Sequence, residues 1–549
     1  MIGTSVPEYI FIRICIFLVQ YTTPLCIACL ALLAAVRGSW AAAVAHDPFS
    51  IALLLGYSVL DGLYAVFVYL PHSRRLKEEQ AEHPPPLARD ERRALFQRCF
   101  ANVPDTRRYL QMWFLGADEE DIRRDNVREF LLWAFFDKRS AGDSESMEDD
   151  AELDEYIDII EKRMGRRLKP GRGKADGLRL TLDEVDTQYR SVVWYLVVGV
   201  VDFVSHCLLA HDGFHYHAQP ASTILSLVPP RLQDIFTARR SEVDGLSYWH
   251  RPHTATDKLP VLFLHGIGIG LYTYVPFLKR LNSGRGSQDG AGQIGIIAIE
   301  NLPISFRLTG APLGRLEFLE RIATILDAHG WDRFVLASHS YGTALATHIL
   351  RSENLTDRVA SVVLIDPVTI LLHLPNVAYN FTRRRPRRAN EWQLWYFASM
   401  DLGVARSLGR HFFWKDNIVW KEELLGVVRG KPTQTADGVN DRGDRTTARP
   451  PRKVAVCLAE RDLIVDTPKV AQYLAADGDE WVGGPGPAGG RGASPQEWSV
   501  NQDGNGNGFL TRDGIELLWF EGLDHAQAFD SKENQDRLCS VIRRFCIIE

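Results

Sequence analysis

Apolar residues gather in three long runs in the first part of the chain and in short runs thereafter. From Ile14 to Val36, 23 residues pass without a formal charge. At about 1.5 Å per residue, a helix of that length crosses the roughly 30 Å hydrocarbon layer of a bilayer. A cleaved signal peptide competes with this reading, but the apolar stretch is long for one and its basic flank reduces to Arg13. The second run, Phe49 to Leu70, holds 22 residues with Asp61 as its one charge. A carboxylate at mid-bilayer costs about 3 kcal/mol unless it is paired. Arg74, Arg75 and Lys77 follow at once, and the positive-inside bias puts that end in the cytoplasm. The pattern predicts a transmembrane hairpin over residues 1–77 with both ends cytosolic.

The third run, Val192 to Ala210, is interrupted by Asp202 and His206. If it spans, everything after it lies across the membrane from Arg74 and Arg75, where Asn354-Leu355-Thr356 and Asn380-Phe381-Thr382 could be glycosylated. Two polar groups in a barely sufficient length favour a helix that packs or lies in the interface, which keeps the rest cytosolic. Residues 191–240 are then a membrane-associated or packing helix and a linker.

Between these runs, residues 78–190 are charged, with Pro84-Pro85-Pro86, an acidic stretch Asp143–Asp150, and aromatic islands at 112–115 and 130–136. They predict a partly helical, partly disordered region whose acidic stretch is a solvated loop. From about 241 the texture changes to short apolar runs alternating with helical ones: 260–264, 294–299, 334–338, 362–365 and 454–459. Near-continuous apolar strands bounded by turns are what a parallel sheet covered on both faces requires. The expected fold class is therefore α/β, a mostly parallel doubly wound sheet over 241–549. Gly, Pro, Asp and Asn dominate about 433–452 and about 477–508, which read as flexible insertions.

Length and charge narrow the function. A chain of 549 residues has several parts. With 63 Lys and Arg against 69 Asp and Glu, the net charge is −6, and no basic field exists to hold a nucleic acid. Eight cysteines, three of them in the first apolar run, make no disulfide framework, and no C-x-x-C-type pair set suggests zinc.

Chemistry enters with Ser338-His339-Ser340-Tyr341-Gly342, which sits between an apolar strand and the helical run Thr343–Leu350. A serine on such a turn is forced to present its hydroxyl at the carboxyl edge of a sheet, and small flanking residues permit the tight turn. Ser338 stands where glycine is usual. An activated serine also needs a base, an orienting acid and oxyanion donors. His525, after the strand-like 515–520, is the base candidate; Asp462, after 454–459, is the acid candidate; their order Ser, Asp, His suits this architecture. Asp366, after 362–365, is the alternative acid, Asp466 a lesser one that reads as a helix cap, and Asp524 a turn residue. His265 and His339 read as loop-anchoring or packing groups. Glycines in His265-Gly266-Ile267-Gly268 let a backbone N–H approach an oxyanion, with the Tyr341 N–H as the second donor.

Together H-G-I-G, S-H-S-Y-G, E-R-D-L-I-V and G-L-D-H resemble the α/β-hydrolase superfamily over roughly 241–549, and the chain looks like membrane-anchored fungal members of it with an AB hydrolase-1 domain. The resemblance implies Ser340 as nucleophile, His525 as general base, Asp462 as its partner, and the Ile267 and Tyr341 amides at the oxyanion, with no metal or organic cofactor. Residues 371–430 fall where a lid is usual. Its aromatic residues and the basic run 383–388 suit either a surface resting on anionic headgroups or a helical cap with its own small core. The expected activity is a membrane-anchored serine hydrolase of carboxylic esters, of lipids or other apolar acyl compounds. An acyltransferase with the same triad and a non-catalytic membrane scaffold are the rivals.

Overall fold

The computed structural model describes residues 2–138, 147–282, 292–426, 452–476 and 509–548. The first half of the acidic stretch, residues 143–146, and both predicted insertions, Arg452 excepted, lie outside the described residues.

Nine strands are described: β1 (His215–His217), β2 (Ser247–Arg251), β3 (Val261–Leu264), β4 (Ile296–Glu300), β5 (Phe334–His339), β6 (Val359–Ile365), β7 (Lys453–Ala459), β8 (Phe509–Leu510) and β9 (Ile515–Phe520). They form one sheet in the order β1-β2-β4-β3-β5-β6-β7-β9-β8. The six strands from β4 to β9 in that order are parallel, while β1, β2 and β8 pair antiparallel at the edges. Alternate residues feed two cores: Leu262 and Leu264 pack on the side of helices Arg315–Ala328 and Gly342–Leu350, and Val261 and Phe263 on the side of Val275–Arg280 and Lys532–Cys546. Burial on both faces is why these strands carry no polar alternation. The sheet begins at His215, inside the segment expected as linker. A three-residue edge strand reading His-Tyr-His gives no apolar run to detect.

The first apolar run belongs to a longer helix, Val6–Val36, opened by a Ser5–Glu8 capping box. It bends at Tyr21, where the backbone leaves helical values just before Pro24, a residue with no N–H to give the preceding turn. The second run lies in Pro48–Tyr64, continued through a π-turn, Ala65–Tyr69, into Leu70–Glu78. Asp61 is buried and fully employed. Its carboxylate accepts from the hydroxyls of Thr23 and Tyr189 and, at 2.7 Å, from the backbone N–H of Val192, so it caps the third helix from the second.

Among the described residues, three helices are long and apolar enough to cross a membrane. The third, Val192–His211, buries Trp194, Tyr195, Val198, Asp202, Ser205 and Leu209 along one face. Its opposite face leaves Leu196 64% and Phe203 56% exposed. Asp202 ends in a buried ion cluster: Arg307 Nη2 lies 2.9 Å and Arg231 Nε 3.2 Å away, and Arg231 also reaches Glu300 at the end of β4. The charge at the centre of this helix is thus held by the sheet domain. Removing one partner of a buried pair typically costs about 3–5 kcal/mol. Asp202→Ala is therefore expected to lower the thermal midpoint of the detergent-solubilised chain by several degrees, read by differential scanning fluorimetry; an unchanged midpoint would show that the cluster contributes nothing net.

Between 78 and 190 the described residues form a packed helical unit. Arg89–Ala101, Thr106–Trp113, Arg124–Phe136 and Met147–Met164 pack around Phe96, Phe100, Phe130, Trp133 and Tyr156. The end of the acidic stretch, Met147–Asp150, opens the last of these helices rather than looping into solvent. Acidic residues in a first turn face the positive helix end, and Asp149 and Asp150 also pair with Arg92 and Arg128.

The segment expected as a lid does not form a small core of its own. Trp392, Trp395, Tyr396 and Phe397 pack against Ile12 and Ile16 of the first helix. Trp414 donates to the Ala134 carbonyl, and Arg98 stacks over Trp420 at 3.9 Å. Its aromatic residues thus join the hairpin, the helical unit and the sheet domain. Of the basic run, Arg383 and Arg384 turn inward to Asp183 and Glu391, while Arg385, Arg387 and Arg388 are exposed.

Candidate active site

Ser340 ends β5 with φ of +51°, the left-handed region that a non-glycine residue enters only under constraint. Its amide donates to the Ile365 carbonyl at 3.0 Å, which ties the turn to β6. Two glycines make the turn possible. A Cβ on Gly342 would come 2.3 Å from the Leu264 carbonyl oxygen, and one on Gly266 would come 2.8 Å from the Cβ of Ser340. Ser338 is an extended strand residue, so the strain sits at Ser340 alone. The serine's cost is a buried hydroxyl without a hydrogen-bond partner among the described residues.

Loops after three different strands converge on Ser340. His525 Nε2 lies 2.8 Å from Ser340 Oγ, and His525 Nδ1 lies 2.7 Å from Asp462 Oδ2. The other Asp462 oxygen accepts the amides of Ile464 and Val465 at 2.8 and 2.9 Å, which holds the carboxylate in place. Asp366 does not take this position. Its oxygens accept the backbone amides of Ala459 and Ala526, so it holds the Asp462 and His525 loops together. Asp466 caps the helix Thr467–Ala475 as its sequence context suggests. Asp524 does more than make a turn: it accepts from Leu463, His525 and the Asn390 side chain of the cap segment.

Behind the serine a second chain of contacts escaped sequence reasoning. The Tyr274 hydroxyl accepts the Gly266 amide at 3.1 Å and lies 2.8 Å from His339 Nδ1, while His339 Nε2 faces Asp366 at 3.6 Å. His265 accepts the Asn301 amide, anchoring the glycine loop. Among the described residues, the amides of Ile267 and Tyr341 have no partner, as donors kept for an oxyanion would.

Residues 261–497 match the model of the alpha/beta hydrolase family. The C-terminal part of the chain is an α/β-hydrolase domain. Solved structures to which the chain is similar include a membrane phospholipase A described as a bacterial virulence factor, 14% identical over 64% of this chain and 96% of its own, with a TM-score of 0.32. Two more are from Bacillus subtilis: a carboxylesterase, 13% identical over 62% and 97% with a TM-score of 0.32, and a naproxen esterase, 12% identical over 63% and 98% with a TM-score of 0.32. No curated protein matches the chain.

Electrostatics in the α/β-hydrolase domain centre on His525. Burial pulls its imidazole down, but the Asp462 carboxylate, with Asp366 and Asp524 nearby, outweighs burial and holds it up to about 9. Burial also works on Asp366, where the His339 and His525 rings and the Ala526 amide prevail and keep the carboxyl below its usual value. Asp366, Asp462 and His525 come close enough to hold a metal ion, but their atoms are already spent on the serine and the loop amides. A base held at about 9 is largely protonated at neutral pH and cannot accept the serine proton. Ester turnover, read as kcat/KM against pH, should therefore rise with pH through the neutral range and level off near 9; a profile flat from pH 6 to 9 would contradict this.

Proposed function

We propose that the chain is a membrane-anchored serine hydrolase that cleaves carboxylic esters of lipids or other apolar acyl compounds. The observation that carries this reading is the unbroken line Ser340 Oγ, His525 Nε2, His525 Nδ1, Asp462 Oδ2, at 2.8 and 2.7 Å, on a strained elbow. Ser340 attacks the ester carbonyl as His525 takes its proton. The Ile267 and Tyr341 amides stabilise the oxyanion, and His525 returns the proton to the leaving alcohol. Water then resolves the acyl-enzyme by the same steps in reverse.

The apolar-substrate part of the reading rests on the anchor. Both ends of the hairpin meet the cap segment: the Ile2 amide donates to Gln393, and Arg406 pairs with Glu79 beyond the second helix. This supports a hairpin that enters and leaves the bilayer on the side where the hydrolase domain lies. The third helix, held by Asp202 and apolar outside, would then rest on the same leaflet rather than cross it.

Incubating the detergent-solubilised chain with a fluorophosphonate probe tests the chemistry. One equivalent is expected to attach, at Ser340, located by peptide mass spectrometry. Attachment elsewhere, or none to folded protein, would overturn the proposal and leave the scaffold reading.

A further inference from the structure

A second group of reactive side chains lies on the β1–β2 edge of the sheet, with three strands between β1 and the strand that carries Ser340. His217 comes from β1, His250 from β2, and His329 from the turn after helix Arg315–Ala328. One nitrogen of each ring lies within 4.8 Å of the other two. Glu242 brings a carboxylate oxygen to 3.5 Å from His217 Nδ1. The Tyr248 hydroxyl lies 2.9 Å from both His217 Nδ1 and His329 Nε2 and donates to Glu242.

We propose that His217, His250, His329 and Glu242 form a binding site for a divalent transition-metal ion, zinc foremost. Three imidazoles and a carboxylate are the donor set that zinc favours, and hard cations such as magnesium avoid it. The frame is rigid where it needs to be. His217 and Tyr248 are register partners across β1 and β2, and His250 is two residues along on the same strand, opposite His215. The His250 and His329 rings lie 3.8 Å apart between centroids, so two of the donors are already held side by side.

A metal requires imidazoles in the neutral form. Burial keeps all three there, and in His250 burial, with the neighbouring His329, His217, His215 and Arg239, pushes the ring down to about 3. Arg239 is the one cation acting on the group that opposes a bound metal charge, and Glu242 offsets it. Ligand atoms around tetrahedral zinc sit about 3.3 Å apart, so nitrogens now within 4.8 Å of one another must close by up to about 1.5 Å. His329, at the end of a helix and half-buried, is the ring free to make that movement. The site would be structural rather than catalytic. It ties the short edge strand β1 to the helix that leads into β5, a place where a three-residue strand has little else to secure it.

The competing arrangement is metal-free, with the Tyr248 hydroxyl as the hub of a hydrogen-bonded cluster. Untagged full-length chain in detergent, stripped with EDTA and titrated with cobalt(II), separates the two. The site should bind one equivalent, show the strong visible d–d absorption of four-coordinate cobalt, and release it to zinc. Zinc alone should raise the thermal midpoint. Both signals should vanish in His250→Gln and His329→Gln and persist in His211→Gln, an exposed histidine outside the group. Fluorophosphonate labelling of every variant should stay at the wild-type level, which reports folding independently of the metal. Should a histidine variant lose that labelling, Glu242→Gln, which preserves shape, should still weaken cobalt binding. Absence of d–d bands and of a zinc-dependent midpoint shift in the wild type would overturn the site, as would bands that survive both histidine substitutions.

Discussion

Ser340→Ala should lower ester turnover by about a million-fold, and His525→Ala by a similar factor, while the double variant loses no more than either alone. Non-additivity is the informative part. In the proposed mechanism the serine proton passes from Ser340 Oγ to His525 Nε2, 2.8 Å away, so neither group would retain its function once the other is gone. What survives is the oxyanion loop and substrate binding, worth about 10³–10⁴ over the uncatalysed rate. Turnover of p-nitrophenyl esters of short and long acyl chains, measured in detergent, checks this. Two single-variant losses that multiply in the double variant would mean that serine and histidine act in separate steps, and the acyl-enzyme route would fall. Neither substitution should alter folding much, since each removes a side chain at the mouth of the sheet rather than within its two cores.

Why a candidate triad was legible in the sequence follows from where its residues lie. Ser340, Asp462 and His525 each follow an apolar strand, and a parallel sheet brings successive carboxyl ends to one edge. Chain order then restricts which serine, acid and histidine can meet. The choice between Asp366 and Asp462 stayed open because both follow a strand, and those strands, β6 and β7, are neighbours. Only the orientation of the two carboxylates separates them. Other features gave no local signal at all. Asp61 reads as an unpaired charge in a membrane segment because its partners, Thr23, Tyr189 and Val192, lie 38, 128 and 131 residues away. The order within 78–190 was hidden because its core is aromatic and dispersed among arginines whose acids come from another helix. His217, His250 and His329 show no metal-type spacing because two strands and a helix end bring them together.

The two acids can be separated by a matched pair of substitutions. Asp462→Asn should lower kcat by about 10⁴-fold. An amide at that position can turn its NH₂ toward His525 Nδ1, which forces the proton onto Nε2 and leaves no lone pair for the Ser340 hydroxyl. The amides of Ile464 and Val465 would still be accepted by the side-chain oxygen, so the loop keeps its shape and the loss is one of proton placement. Asp366→Asn keeps only one acceptor for the Ala459 and Ala526 amides and so loosens one of the two loops, but it should cost less than about a hundredfold, because this side chain makes no hydrogen bond to the His525 ring. Its signature is in the pH profile. Removing a negative charge that favours the imidazolium lowers the His525 value from about 9, so the rising limb of kcat/KM should move to lower pH. In Asp366→Asn the rate at neutral pH, relative to its own plateau, should then be higher than in the wild type. The reverse ranking, a large kcat loss in Asp366→Asn and a small one in Asp462→Asn, would assign the orienting role to Asp366 and make the 2.7 Å contact of Asp462 with His525 incidental.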